Sequence, residues 1–104
     1  MTTREIVQGL QYQGADESIL YTLTTTNWGS SPTTTSAAIF TDNGDGTYTD
    51  VTSTKMPGST SVAGDVITLP AILGLVAGTM YRVEVKFTIS GSIFEAFAYV
   101  MGER

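Results

Sequence analysis

From Tyr81 to Ile89 the chain alternates without a break. Tyr81, Val83, Val85, Phe87 and Ile89 are apolar, while Arg82, Glu84, Lys86 and Thr88 are polar. A period of two places one set on each face of a pleated ribbon, so this segment reads as a strand with one buried and one wet face. The next apolar-rich run, Ser92 to Met101, follows Ser90-Gly91. A hairpin with an even loop at Ser90-Gly91 places Phe87 opposite Phe94, Val85 opposite Ala96, Val83 opposite Ala98 and Tyr81 opposite Val100. The other face then pairs Lys86 with Glu95, Glu84 with Phe97 and Arg82 with Tyr99. A slip of one residue would oppose apolar and charged side chains on both faces, so this register is the expected one.

The outer face of the last strand is then Ile93, Phe97, Tyr99 and Met101, with Glu95 between them. That row is too apolar for a solvated face, so it needs cover from this chain or from a partner. These four residues are candidate interface positions. Trp28, the only tryptophan, is a fifth. It stands before Gly29-Ser30-Ser31-Pro32 and is expected to cap one end of the fold by packing, with an interface anchor as the alternative.

Ahead of Tyr81 lies a turn containing Ala77-Gly78. A Leu…Gly…Tyr corner feeding a long alternating strand is how many immunoglobulin-like sandwiches enter their sixth strand. The rest of the chain agrees. Strands are expected over Arg4 to Gln13 (Ile6, Val7, Leu10 and Tyr12 apolar), Ile19 to Thr26, Thr35 to Asp42, Thr47 to Ser53 and Asp65 to Leu69, the last stopped by Pro70. Lys55 to Gly64 reads as a Pro/Gly/Ser connection. Ala71 to Val76 is expected to form one helical turn, and Gly102-Glu103-Arg104 a short tail. With the final hairpin this makes an all-β, immunoglobulin-like antiparallel sandwich of about seven strands, one domain over residues 1–104.

Composition narrows the chemistry. The chain has 104 residues and only 14% charged side chains; Thr and Ser fill the polar positions, as suits a half-exposed sheet. There is no Cys and no His, so disulfides, thiolate chemistry, Cys/His zinc sites and imidazole catalysis are excluded. The net charge is −5 with five basic residues, none adjacent, which argues against binding nucleic acid or an anionic membrane. No apolar run approaches a membrane span, and the N-terminus shows no secretory signal, so synthesis in the cytoplasm is expected. No enzyme activity and no cofactor are expected, since no base stands ready to activate a Ser or Thr.

Asp42-Asn43-Gly44-Asp45-Gly46 with Asp50 is the one motif with metal-like content. A calcium loop of the helix–loop–helix type needs an acid or Asn at its third position and a Glu at its twelfth. Gly44 and Ser53 stand there instead, so Asp42, Asp45 and Asp50 are read as hairpin residues and no metal is expected. The string Asp45-Gly46-Thr47-Tyr48 resembles the hairpins of bacterial immunoglobulin-like modules.

Three strings carry a broader resemblance: Gly14-Ala15-Asp16-Glu17 with Tyr21 to Thr26, Trp28-Gly29-Ser30-Ser31-Pro32, and Ala77 to Phe87. Together they resemble small proteins from the virion-structure modules of tailed bacteriophages and prophages, over nearly the whole chain. The resemblance implies a non-enzymatic structural role, as a capsid decoration or minor capsid protein binding the major capsid protein or other virion proteins, located in the virion. A homo-oligomer such as a trimer is the expected assembly. A tail or head–tail connector protein, and a binding module of a bacterial surface protein, are the alternatives.

Overall fold

The computed structural model describes residues 2–5, 10–26 and 28–104, with side chains from residue 10 onward. Ile6 and Val7, expected in the first strand, lie outside the described residues. The strands are β1 (Thr2–Glu5), β2 (Gln11–Gly14), β3 (Ser18–Ile19), β4 (Thr22–Thr24), β5 (Thr33–Asp42), β6 (Tyr48–Asp50), β7 (Ser61–Ala63), β8 (Val66–Thr68), β9 (Ile72–Leu73), β10 (Met80–Ile89) and β11 (Ser92–Glu103). One helical turn, α1 (Thr52–Lys55), follows β6.

Four of these strands are halves of two longer ones. β3 with β4, and β8 with β9, form a single antiparallel ladder. Its register moves by one residue between Ile19↔Ile72 and Thr22↔Thr68. Pro70 sits in that gap, where a residue without an N–H cannot extend a ladder. β1 and β2 both run beside β11. Joining β3 with β4 and β8 with β9 reduces the eleven strands of the described residues to nine (11 − 2).

These strands make two layers. One sheet runs β1/β2–β11–β10–β5–β6; the other runs β4–β8–β7, with β3–β9 continuing it. This is an all-β sandwich. The sheets are antiparallel except at one edge, where β1 and β2 lie parallel to β11.

The final hairpin has the expected register at every position, from Tyr81↔Val100 to Phe87↔Phe94 and Lys86↔Glu95. Its loop is Ser90-Gly91, closed by Ile89↔Ser92, and both loop residues are left-handed, with φ of 50° at Ser90 and 82° at Gly91. Two positive φ values in a two-residue loop match the twist of the flanking strands. The inward row forms the core: Tyr81, Val83, Val85, Phe87, Ala96 and Val100 meet Leu23, Ile67, Leu69 and Ile72 of the facing sheet, with Ile39 of β5. Met56, just after α1, is fully buried and closes one opening of the sandwich.

The corner before β10 is also present. The Val76 N–H donates to the Tyr81 hydroxyl at 2.9 Å, tying the turn to the strand it feeds. Tyr81→Phe deletes the hydroxyl that accepts this bond, so a loss of about 0.5–1.5 kcal/mol is expected in urea unfolding. An unchanged midpoint would mean that the turn holds itself.

Several expectations need correction. The helical turn expected at Ala71 to Val76 is instead at Thr52–Lys55, and Ile72–Leu73 pair with Ser18–Ile19 as strand. The β-branched and apolar pair Ile72-Leu73 gains more from the sheet seam than a lone helical turn could give. The stretch Lys55 to Gly64, read as connection, contains β7, which makes a hairpin with β8 through Gly64. The tail Gly102-Glu103 is strand: the Ala15 N–H donates to the Glu103 carbonyl at 2.7 Å and the Gly102 N–H to the Thr79 carbonyl at 2.9 Å.

Candidate interaction surface

The outer face of the larger sheet carries the candidate residues. Directly opposed residues in a ladder share a face. Across the sheet, Tyr99 of β11, Arg82 of β10, Phe40 of β5 and Asp50 of β6 therefore form one outward row. A second row runs Phe97, Glu84, Ala38, and a third Glu95, Lys86, Ser36. Ile93 stands beyond these opposite Thr88, and Met101 at the other end opposite Met80.

The row expected on β11 is on the outward face, but its members are not alike. Ile93 is 50% exposed. Phe97, Tyr99 and Met101 are half-buried. The cover on Phe97 comes from Arg82, whose guanidinium carbon lies 4.0 Å from the ring centroid. Phe97 and Tyr99 also meet edge to face, with centroids 5.9 Å apart.

Arg82 is the centre of this arrangement. Its Nε donates to Glu84 Oε2 at 2.8 Å and its Nη1 to the Tyr99 hydroxyl at 3.3 Å. The Tyr48 and Tyr99 centroids lie 5.8 Å and 6.0 Å from its guanidinium carbon. Burial works against its charge, yet Glu84 and Tyr99 hold its pKa above the ordinary arginine value. The Tyr99 hydroxyl, and further off the Asp42 carboxylate, raise the Tyr48 phenol, so Tyr48 is a neutral hydrogen-bonding group near neutral pH. An arginine held over one ring and pinned by a carboxylate loses little freedom on binding, which suits an interface anchor.

Trp28 is turned inward. It is half-buried, with its ring 5.5 Å from Phe87 at the loop end of the sandwich, so its placement is that of a cap. The three aspartates are turn residues. Asp42 Oδ1 accepts from the Gly44 N–H, Asp45 Oδ1 from the Thr47 N–H and hydroxyl, and Asp50 Oδ1 from the Thr52 N–H. The Thr47 hydroxyl and amide lower the Asp45 pKa, and the Thr52 amide lowers that of Asp50. Among the described residues no three acids converge as a metal site would require. On the opposite side, an apolar cleft of about 270 Å³ opens at the seam between the sheets, lined by Leu20, Tyr21, Leu23, Ile72, Val83 and Val100.

Arg82, Phe40 and Tyr48 were not singled out in the sequence. The register of the final hairpin already pairs Arg82 with Tyr99, but nothing local registers β5 against β10. No family model, curated protein or solved structure matches the chain.

Proposed function

We propose that this chain is a non-enzymatic structural protein of a tailed-phage particle, most consistent with a capsid decoration or minor capsid protein. The observation that carries the reading is the outward aromatic row of β11, with Phe97 and Tyr99 braced by Arg82 and Ile93 half exposed. A rigid aromatic and arginine surface on a small sandwich is what a lattice-binding protein needs, because anchors already held in place lose less entropy on docking. The resemblance over Ala77 to Phe87 supplies the particle, and a small oligomer such as a trimer would present several copies of the face together.

The test replaces Phe97 with Ser and Tyr99 with Thr in one variant. Both positions face outward, so the variant should keep its far-UV spectrum and a cooperative transition. Oligomers in sedimentation and co-purification with particles should be lost. Parental occupancy on purified particles would sink the reading. Retention on isolated tails but not on heads would move it to the tail or connector alternative.

A further inference from the structure

The tip of the β5–β6 hairpin sets an amide and an acid each directly before a glycine, in Asn43-Gly44 and Asp45-Gly46. The side-chain carbonyl carbon of such a residue is in reach of the next backbone nitrogen, because closure makes a ring of only five atoms. A following glycine has no β-carbon to crowd the approach. Both glycines stand in the open, since a β-carbon at either would meet nothing within 4 Å. Asn43 is itself exposed.

The two positions differ in the group to be attacked. Asp45 Oδ1 accepts from the Thr47 amide at 3.0 Å and from the Thr47 hydroxyl at 2.6 Å. Those bonds favour the ionised form and lower its pKa, and a carboxylate anion resists a nucleophile. Asn43 is a neutral amide. Its Nδ2 donates to the Thr47 and Thr49 hydroxyls, each at 3.1 Å, and that nitrogen is the leaving group. The attacking group is the Gly44 amide, whose N–H donates to Asp42 Oδ1 at 2.9 Å. A carboxylate that accepts this bond polarises the N–H towards loss of its proton.

We propose that Asn43 is a self-modification site: in the native hairpin it reacts with Gly44 and water to give aspartate and isoaspartate, and the change reaches Tyr48 on the outer face. The Gly44 nitrogen loses its proton and bonds to Asn43 Cγ. The Cγ–Nδ2 bond breaks, and the proton leaves with that nitrogen as ammonia. Water then opens the cyclic imide at one of its two carbonyls, so the only co-reactant is water. Either product removes the two Nδ2 donor bonds and adds one negative charge to a chain of net charge −5, beside Asp42 and Asp45. Isoaspartate also lengthens the main chain by one carbon, next to the Asp42↔Tyr48 pair that closes the hairpin. Thr47 and Thr49 flank Tyr48, whose ring lies 5.8 Å from the Arg82 guanidinium carbon. The inference does not rest on the particle reading.

The test incubates the full chain in mildly alkaline buffer, folded and in urea. Its peptides are then mapped by mass spectrometry with electron-transfer fragmentation, which separates aspartate from isoaspartate. The folded chain should lose the Asn43 amide at a rate within about tenfold of the unfolded one. Asn27, the only other asparagine, precedes the bulky Trp28 and should keep its amide. Asp45-Gly46 should form no isoaspartate in the folded chain. Asp42→Ser keeps an acceptor for the Gly44 N–H without the charge. It should slow the folded reaction by about threefold or more and leave the unfolded rate unchanged. The isoaspartate form, isolated by anion exchange, should show ¹H–¹⁵N shifts at residues 47–49 and at Arg82. A native chain that keeps the Asn43 amide while the unfolded chain loses it would overturn the inference. So would equal loss at Asn27, isoaspartate at Asp45, an Asp42→Ser variant that reacts as fast as the parent, or shifts confined to residues 43 and 44. None of these outcomes bears on particle attachment, which the Phe97/Tyr99 variant reads separately.

Discussion

Phe87→Ala is expected to remove most of the stability of this domain. Phe87 is fully buried on the inward face of β10 and lies between two rings, Trp28 at 5.5 Å and Phe94 at 5.7 Å. Truncating a buried Phe costs about 3–5 kcal/mol, because transfer free energy is lost and the cavity closes only in part. A small domain has roughly 5–15 kcal/mol in total. The neighbours cannot close in easily. Opposite Phe87, β5 carries a bulge: Lys86 and Thr88 are two residues apart, but their partners Ser36 and Thr33 are three apart. The extra residue is accommodated with Thr34 at φ 50°, a strained backbone for a β-branched side chain. Collapse toward the cavity would have to move that strained segment.

The single Trp gives the readout. Trp28 packs on Phe87, so its emission should shift red in the variant even before denaturant is added. The urea midpoint should fall by most of its value. Ile93→Ala, on the outward face and half exposed, should move the midpoint little. A Phe87→Ala variant as stable as the parent, or a helical far-UV spectrum of the parent, would refute the sandwich.

The legible parts of this fold are those in which local pattern and burial agree. The pairing register of β10 with β11 was readable to the residue because strict alternation and an even loop admit one register. The tyrosine corner was readable because its members lie within six residues of one another. Glycines 44 and 46 take positive φ, as the Asn-Gly and Asp-Gly dipeptides suggested.

The illegible parts depend on distant partners. Gln13 looks like an outward polar residue between Tyr12 and Gly14. It is fully buried, donating through Nε2 to the Ile72 carbonyl at 2.6 Å and accepting at Oε1 from the Tyr21 hydroxyl at 3.0 Å. Only the crossing of β2 over the β9 end makes that burial satisfiable. β7 was hidden for a related reason. All three of its residues are exposed, so no buried face left a periodic trace. The face itself was half legible. The hairpin gave Arg82 beside Tyr99, while Tyr48, Phe40 and Asp50 join it only through pairing of β5 with β10 and β6.

Gly102→Ala is expected to cost nearly as much as the core truncation, at a position that looked like part of a tail. Gly102 is buried near the end of β11. Its N–H donates to the Thr79 carbonyl and its carbonyl accepts from the Gly78 N–H, both at 2.9 Å. The strand end is thus stitched to the turn that carries the tyrosine corner. A β-carbon there would lie 2.2 Å from the Val76 carbonyl oxygen and 3.0 Å from its carbon. Those are backbone atoms, so no rotamer change relieves the overlap. Val76 is also the residue whose N–H is held by Tyr81, so moving it strains the corner. Overpacking of this kind costs about 1–3 kcal/mol, and losing the two flanking hydrogen bonds adds about 1 kcal/mol each. Gly78→Ala is the useful comparison, because a β-carbon there meets nothing within 4 Å and only its φ of 82° opposes the change. It should cost about 1–2 kcal/mol. The Gly102 variant should therefore be the less stable of the two in urea, with faster hydrogen exchange at the Gly78 and Gly102 amides. Equal stability of the two variants would mean that the end of β11 is not seated against the turn, and that the chain beyond Met101 is a tail after all.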